Sequence, residues 1–204
     1  VASSCLRRLY TGSGAMYRCI TLSILKYDIH LDDKLSLLSL LETTEIQFEN
    51  SVSERLVLLN GKDVSNDIRK TEVTNYTSAV SSLLEVRNFL VKSQRKIATS
   101  HDCVVEGRDI GTIVFPNAEV KFFLVADYQI RAKRRQLELL KLGEEKSLST
   151  LIEEIQKRDN LDSNRKISPL RKAEDAIEVD TTNMTINSQV DFMVNKVKLI
   201  TIGN

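Results

Sequence analysis

Residues 103–112 read Cys-Val-Val-Glu-Gly-Arg-Asp-Ile-Gly-Thr, a short apolar run that passes directly into a glycine and a pair of opposite charges. A second apolar run, VKFFLVA, occupies residues 120–126, and neither run alternates with polar residues. Apolar runs without alternation are typical of strands that are covered on both faces. Because long helical patterns flank these runs along the chain, the sequence predicts an α/β fold with a parallel sheet flanked by helices.

Helical periodicity or helix-start signals mark six stretches outside these strands. They cover residues 16–27, 32–41, 72–97, 128–142, 148–162 and 186–197. Residues 176–179 predict a last short strand. Between the second and third helices the pattern changes to two short, partly alternating runs, residues 45–49 and 55–59, and the turn dipeptide Asn60-Gly61 follows them. These runs predict a small antiparallel unit.

Composition narrows the class of protein. The 204 residues are 42% hydrophobic and 28% charged, which predicts one domain with a substantial core. No apolar run approaches the roughly 20 residues needed to cross a bilayer, and the first ten residues lack the apolar stretch of a secretory signal. The three cysteines are scattered without Cys-x-x-Cys spacing. A reducing cytoplasm, with no membrane partner and no metal site built from side chains, is therefore expected.

Charge is distributed unevenly along the chain. The net charge is only +1, but residues 131–172 contain 12 lysines and arginines against 7 aspartates and glutamates. A local basic stretch in a nearly neutral protein suits a compact polyanion such as a nucleotide. A solvated helix face explains the same stretch, and so does a basic helical module for RNA. The low overall charge argues against nucleic acid as a partner.

The first of three groups of candidate site residues is Ser13-Gly14-Ala15-Met16-Tyr17-Arg18. Gly14 would permit a tight loop, and Arg18 would present its guanidinium to a phosphate from one turn inside the following helix. An ordinary loop that enters a helix is the alternative interpretation of this stretch.

The second group follows the first buried run and comprises residues 106–112. Gly107 and Gly111 would let the backbone approach a ligand, while Arg108 and Asp109 supply phosphate and base recognition from one loop. Parallel sheets bind ligands at the carboxyl ends of their strands, where this loop is expected. The pattern therefore predicts a binding site, although it names no substrate.

The third group consists of charged residues at helical spacing on two successive predicted helices: Arg131, Arg134 and Arg135 on the first, and Arg158, Asp162 and Arg165 on the second. Two arginine clusters on adjacent helices repel each other unless an anion lies between them. A phosphate is therefore the expected guest, and solvated helix faces are the alternative.

Together these segments resemble the bacterial cytidylate kinases, from about Leu9 to the end of the chain. The matching segments are residues 13–18, 60–69, 106–116 and 158–165, with Pro169-Leu170 after the last of them. The strings GRD-x-GT-x-VFP and RD-x-x-D-x-NR are highly specific in combination. The resemblance implies one three-layer α/β/α domain of the P-loop kinase type over residues 1–204. It also implies a small β insert for the monophosphate at residues 45–70 and an arginine-rich lid at residues 128–166.

The family transfers the γ-phosphoryl group of ATP, with Mg²⁺, to CMP or dCMP, and its members are expected to be monomers. The resemblance assigns roles as follows: Ser78, Arg87 and Asp109 to the base; Arg158 and Asp162 to the sugar; Ser13, Arg18, Arg108 and Arg165 to the monophosphate; and Arg131, Arg134 and Arg135, with Arg158, to catalysis. Asp180-Thr181-Thr182 resembles the loop beside the adenine pocket. A carboxylate at Asp109 would accept from the amine of cytosine but face a carbonyl in uracil, which discriminates against UMP.

The sequence departs from the family pattern near its start. Family members open with a strand and a Gly-x-x-x-x-Gly-Lys-[Ser/Thr] loop that cradles the ATP phosphates, and no such string occurs in the 204 residues. Gly12 also stands where the family usually has Asp. We therefore expect the first strand and the P-loop to be missing and phosphoryl transfer to be poor. The alternative is an inactive nucleotide-binding remnant that keeps CMP affinity.

Overall fold

A computed structural model describes residues 9–50, 55–100, 102–141 and 143–202. The described residues form two units, a first within residues 9–107 and a second within residues 108–202. The predicted missing strand and P-loop concern positions before Leu9, which lie outside the described residues.

The first unit contains four helices and five strands. In chain order these are β1 (Leu9–Gly12), α1 (Ser13–Lys26), α2 (Lys34–Glu42), β2 (Ile46–Asn50), β3 (Arg55–Leu59), β4 (Lys62–Asp63), α3 (Thr71–Val80), α4 (Leu84–Ser100) and β5 (Cys103–Glu106), with a 3₁₀ turn at Asp67–Arg69. Strands β1 and β5 pair in parallel, with Leu9 opposite Cys103 and Gly12 opposite Glu106. Strands β2, β3 and β4 form an antiparallel sheet in that order.

The second unit contains three helices and two strands. In chain order these are β6 (Phe122–Val125), α5 (Tyr128–Lys141), α6 (Leu148–Asn164), β7 (Ile177–Asp180) and α7 (Ile186–Ile202), preceded by a wide helical turn at Ile110–Val114. Strands β6 and β7 pair in parallel from Phe122 opposite Ile177 to Val125 opposite Asp180. Helices α5 and α6 pack against each other around the buried side chains of Ala132, Leu139 and Leu151.

The core of the first unit is built on α1. Met16, Ile20 and Ile24 recur every four residues, so they lie on one face of the helix, and each is at most 1% exposed. They join one cluster with residues of the other helices, among them Leu37 and Leu90. Burial of each such side chain contributes about 1.5–3 kcal/mol, so this cluster is the main apolar support of the unit.

The antiparallel sheet is formed as the sequence predicts. Asn60 and Gly61 have φ angles of 50° and 75°, the left-handed pair that a tight two-residue hairpin turn requires. The Asn60 Oδ1 atom also accepts a hydrogen bond of 2.7 Å from the Glu45 amide. A small apolar cluster that includes Cys19 of α1, Val57 and Ile68 fastens the sheet to the helix.

Two local predictions are wrong, and one strand was missed. The stretch 72–97 is two helices, because the hydroxyls of Ser81 and Ser82 bond to the carbonyls of Ser78 and Ala79 and so compete with the helical pattern. Strand β1 was not predicted. It runs straight into α1, so Gly14 is the second residue of the helix and forms no tight loop.

The predicted parallel pairing is confirmed, but the predicted coverage of both strand faces is not. The parallel strands among the described residues form two pairs, β1–β5 and β6–β7, and Leu124 in β6 is 52% exposed. At this position the face of β6 is therefore not fully covered by other described residues. In the part of the chain that the structure describes, no helix is both long and apolar enough to span a membrane.

Candidate active site

Asp162 lies at the centre of a charged cluster in the second unit. Its side chain is 10% exposed near the end of α6, and its Oδ2 atom accepts a hydrogen bond of 2.9 Å from Nε of Arg108. Nη1 of Arg165 lies 3.9 Å from Oδ1, and Nε of Arg158 lies 4.0 Å from Oδ2. One carboxylate therefore orients the three arginines that the sequence singled out.

Asp109 is the second carboxylate of this cluster. Its side chain is 6% exposed, and its Oδ1 atom lies 3.8 Å from Nη2 of Arg165. The Asp109 carbonyl accepts from the Ile113 amide at 2.9 Å, so the aspartate begins the helical turn that follows it. Asp109 is thus held by its own backbone turn and by the arginine of a distant helix end.

The chain doubles back after α6 and fixes Arg165. Ser168 has a φ angle of 51°, its carbonyl accepts from Nε of Arg165, and the Leu170 amide donates to the Asp162 carbonyl at 2.8 Å. Pro169, between them, restricts the turn further. Arg165 is therefore oriented from both sides, and its side chain is only 13% exposed.

Positive charge exceeds negative charge in this cluster, because three guanidinium groups share two carboxylates. The pKa of Arg158 lies below its ordinary value because burial removes water and because Arg108 and Arg135 add like charge, although Asp162 and Asp159 oppose the effect. An arginine stays protonated in proteins, so a bound anion would reduce the repulsion among these guanidinium groups. The cluster is suited to bind a phosphate.

The three arginines of α5 point to different partners. Arg131 makes a two-pronged ion pair with Asp159 of α6, and this partner raises the pKa of Arg131. Arg135 pairs with Glu138 at 3.2 Å, and its charge also acts on Arg158. The third arginine of the group bonds instead to Thr181.

That third arginine is Arg134, which reaches the loop after β7. Its guanidinium donates to the carbonyl and, at 3.2 Å, to the hydroxyl of Thr181, and to the Met184 carbonyl at 3.4 Å. In the same loop the Thr182 hydroxyl accepts from the Asp127 amide at 3.0 Å. Thr182 also donates to Asp180, which lowers the pKa of that carboxyl. Arg134 thus connects α5 to the loop that the resemblance places beside the adenine.

From the sequence we expected the arginine groups of α5 and α6 to repel each other unless an anion lay between them, and this expectation needs correction. Asp159 of α6 pairs with Arg131 of α5, and Asp162 lies beside Arg158 and Arg165 of its own helix end. The described residues therefore already compensate part of the repulsion. Asp159 was missed because only the contact of the two helices shows that it faces Arg131. Its position beside Arg158 in the RD-x-x-D-x-NR string was the one available signal.

Gly111 packs against side chains of its own unit, a contact that the sequence did not predict. A Cβ atom at this position would lie 3.2 Å from Cδ of Lys121 and 3.8 Å from Cβ of Ala173. The side of Gly111 on which a Cβ atom would lie is therefore filled by side chains of its own unit. Sequence spacing alone does not separate this reason for a glycine from close approach to a ligand.

The other predicted site residues belong to the first unit and lie on its helices α1, α3 and α4, which pack together: Ser13 and Arg18 on α1, Ser78 on α3 and Arg87 on α4. Ser13 is 5% exposed and Arg87 is 3% exposed. The Arg87 guanidinium lies 5.7 Å from the centre of the Tyr17 ring and donates to the Ser81 carbonyl at 3.2 Å. The structure thus brings Arg87 against the Ser13–Arg18 motif.

The described ranges support neither a metal site built from side chains nor reaction at the Cys19 thiol. No group of three or more His, Cys, Asp or Glu side chains that could hold a metal occurs within them. Burial raises the pKa of the Cys19 thiol to about 12, so this cysteine is neither a nucleophile nor a ligand at neutral pH.

Comparison with known proteins identifies the family of the chain. The family model described as cytidylate kinase matches residues 2–199. A cytidylate kinase of Geobacillus sp. (strain WCH70) is 48% identical over 186 residues, which cover 91% of this chain and 83% of the relative. The cytidylate kinase of Bacillus subtilis (strain 168) is 44% identical over 190 residues, covering 93% and 85% of the two chains. The chain belongs to the cytidylate kinase family and is a phosphotransferase.

Proposed function

We propose that this protein transfers the γ-phosphoryl group of ATP to CMP or dCMP and so forms CDP or dCDP. The observation that carries the proposal is the convergence of Arg108, Arg158 and Arg165 on the buried pair Asp109 and Asp162. Phosphoryl transfer depends on positioning and charge neutralisation rather than on a protein nucleophile, and the cluster provides both.

In this proposal the monophosphate binds to the arginines of the cluster. Arg108 and Arg165 present fixed guanidinium groups, because Asp162 and the Ser168 carbonyl hold them. Charge-assisted hydrogen bonds to a phosphate are worth about 1.5–3 kcal/mol each. Ser13 and Arg18 are the proposed further contacts of the monophosphate.

Recognition of the base depends on Asp109 in this proposal. A carboxylate accepts from the exocyclic amine of cytosine and repels the carbonyl of uracil. Arg87 and Ser78 are the proposed further contacts of the base, and Arg158 and Asp162 those of the sugar. Asp162 would then serve two purposes, since it also orients Arg108.

The ATP side is assigned to α5 and its surroundings. Arg131, Arg134 and Arg135 are proposed to act with Arg158 as a lid over the ATP phosphates, where positive charge stabilises the transition state. We assign magnesium to the ATP complex that enters as substrate, because Mg²⁺ is usually held by substrate phosphates and one or two carboxylates.

The finer architecture is proposed from the same resemblance. It comprises a three-layer P-loop kinase domain, with residues 45–70 as the monophosphate insert and residues 128–166 as the lid. A cytoplasmic monomer that acts on free nucleotides, without nucleic acid or membrane as partner, fits the nearly neutral net charge. The names of the curated relatives favour a transferase over an inactive remnant that only binds CMP.

The proposal is tested by calorimetric binding of CMP and UMP, followed by a coupled assay with ATP. We expect CMP to bind more tightly than UMP and to be phosphorylated. Arg108→Ala should weaken binding of both nucleotides by about 10- to 100-fold, the loss of a charge-assisted contact. Arg171→Ala, which removes an exposed arginine outside the cluster, is the matched control. CMP binding that is unaffected by Arg108→Ala would refute the site, and binding without turnover would support the inactive remnant.

A further inference from the structure

A buried lysine lies behind the loop that carries Arg108 and Asp109. Lys121 immediately precedes β6, and its side chain is only 7% exposed. Its ammonium group bonds to both carboxylate oxygens of Asp175, at 2.8 and 2.6 Å, and to the Pro116 carbonyl. Lysine is almost never buried unless it is paired, so these partners account for its position.

Lys121 lies beside both ends of the turn that follows Asp109. The turn spans Ile110–Val114, and the Pro116 carbonyl, just beyond it, accepts from the ammonium group. Near the start of the turn, a Cβ atom on Gly111 would lie 3.2 Å from Cδ and 3.6 Å from Cγ of Lys121. The aliphatic stem therefore supports one end of the turn while the charged head holds the other.

The backbone at Lys121 is also fixed. Its carbonyl accepts from the Ile177 amide at 2.9 Å, where β6 begins to pair with β7, and Asp175 lies just before β7. The pKa of Asp175 is held below its ordinary value of 3.8, chiefly by its hydrogen bond to Lys121. The lysine is thus anchored to the β6–β7 pair and passes that constraint to the loop.

We propose that Lys121, paired with Asp175, is a positioning residue that sets where the Asp109 carboxylate meets the base of the nucleotide. This inference rests on the proposed function and extends it to residues that do not touch substrate. Asp109 begins the turn, and its carbonyl accepts from the Ile113 amide at 2.9 Å. A displaced turn would therefore move the carboxylate that reads the base. Misplacement by about 1 Å is enough to cost up to about 100-fold in an enzyme site.

The main test compares CMP and UMP binding in Lys121→Met, which keeps the apolar stem and removes the charge. We expect the Kd for CMP to rise by about tenfold and the Kd for UMP to change less, so that the preference for CMP falls. Lys146→Met is the matched control, because Lys146 pairs with Glu154 at 2.8 Å in the same unit and does not contact the loop. Leu139→Ala controls for lost stability, since it opens the cluster between α5 and α6.

A mutant cycle tests the contact with Gly111. Gly111→Ala should weaken CMP binding by a few-fold in the wild-type background, because the new methyl group presses on the Lys121 stem. In a Lys121→Ala background, where the stem is gone, the same change should have no effect. Equal effects of Gly111→Ala in both backgrounds would contradict the proposed support.

Hydrogen exchange supplies a readout that does not depend on a nucleotide. The amides of Ile113 and Phe115, which bond to the carbonyls of Asp109 and Ile110, should exchange faster in Lys121→Met than in Lys146→Met.

A wild-type chain that binds CMP no more tightly than Lys121→Met overturns this inference alone. A wild-type chain that binds no CMP overturns the proposed function and this inference with it. Lost stability alone should weaken CMP and UMP binding in equal proportion, as expected for Leu139→Ala. The same equal loss in Lys121→Met would overturn the positioning role of Lys121.

Discussion

The first unit, within residues 9–107, is held together mainly by apolar packing, whereas the second, within residues 108–202, depends on ion pairs. In the first unit one cluster contains ten buried residues, and ion pairs such as Lys34–Glu85 are exposed on at least one side. In the second unit the apolar cluster contains three buried residues, while the carboxylates Asp109, Asp159 and Asp162 are each at most 17% exposed in their ion pairs.

The difference follows from the roles of the two units: the first provides an apolar scaffold, and the second orients arginines toward the proposed phosphate site. Apolar packing is dense and insensitive to the charge of a ligand, which suits a scaffold. Fixed arginines need carboxylates to orient them and an excess of positive charge to attract a phosphate. The second unit therefore carries less apolar support, and its structure should respond more strongly to changes of charge.

The largest effect is expected from the core of the first unit. Leu90 is fully buried, so Leu90→Ala should lower the free energy of unfolding by about 2–5 kcal/mol. The measurement is thiol labelling at pH 8 in a chain with Cys5→Ser and Cys103→Ser. Cys19, whose pKa burial raises to about 12, then reacts only when the unit opens. Labelling no faster than in the parent chain would show that Leu90 does not stabilise this unit.

A smaller effect is expected when one partner of the ion pair between α5 and α6 is removed. Asp159→Ala leaves Arg131, 31% exposed in its side chain, without its two-pronged partner. The loss should be about 1–2 kcal/mol, less than for a fully buried pair. A double-mutant cycle with Arg131→Ala, followed by urea unfolding of the second unit, measures the coupling. Strictly additive losses would refute an energetic link between the two residues.

The two units offer a comparison of what lowers the pKa of an aspartate: chiefly a lysine for Asp175 in the second unit, and a serine for Asp63 in the first. Because Lys121 lowers the folded pKa of Asp175, the pair stabilises the protein above the ordinary value of 3.8. That contribution is lost as the pH falls through the lowered folded value. Carboxyl NMR should find the midpoint below 3.8 in the wild type and near 3.8 in Lys121→Met. Asp63 of the first unit, held low by Ser65, should keep its midpoint in both chains.

The smallest effect is expected for an exposed pair of the second unit. Lys172 and Glu178 lie 3.0 Å apart but are 43% and 52% exposed. Lys172→Met should therefore change the free energy of unfolding by less than about 0.5 kcal/mol. Urea denaturation measures it beside Asp159→Ala. A loss as large as that of Asp159→Ala would show that burial does not decide which ion pairs matter in this unit.

Much of this protein is determined by the local sequence. Helical periodicity located the six helical regions, the Asn60-Gly61 pair fixed a hairpin turn with both φ angles positive, and the strings around Arg108 and Arg158 indicated the site. These signals are readable because they depend on residues close together in the chain. The same reasoning missed β1, whose pairing with β5 joins residues far apart in sequence.

Tertiary structure alone decided how the charges are shared. Arg131 and Arg134 lie three positions apart in α5, yet one faces Asp159 and the other the loop after β7. Likewise, the sequence placed Gly111 in a ligand loop, but the packing of Lys121 explains why a glycine stands there. Sequence spacing fixes which face of an element a residue occupies. The partner on that face depends on packing between segments that are distant in the chain, because those segments come into contact only in the folded protein.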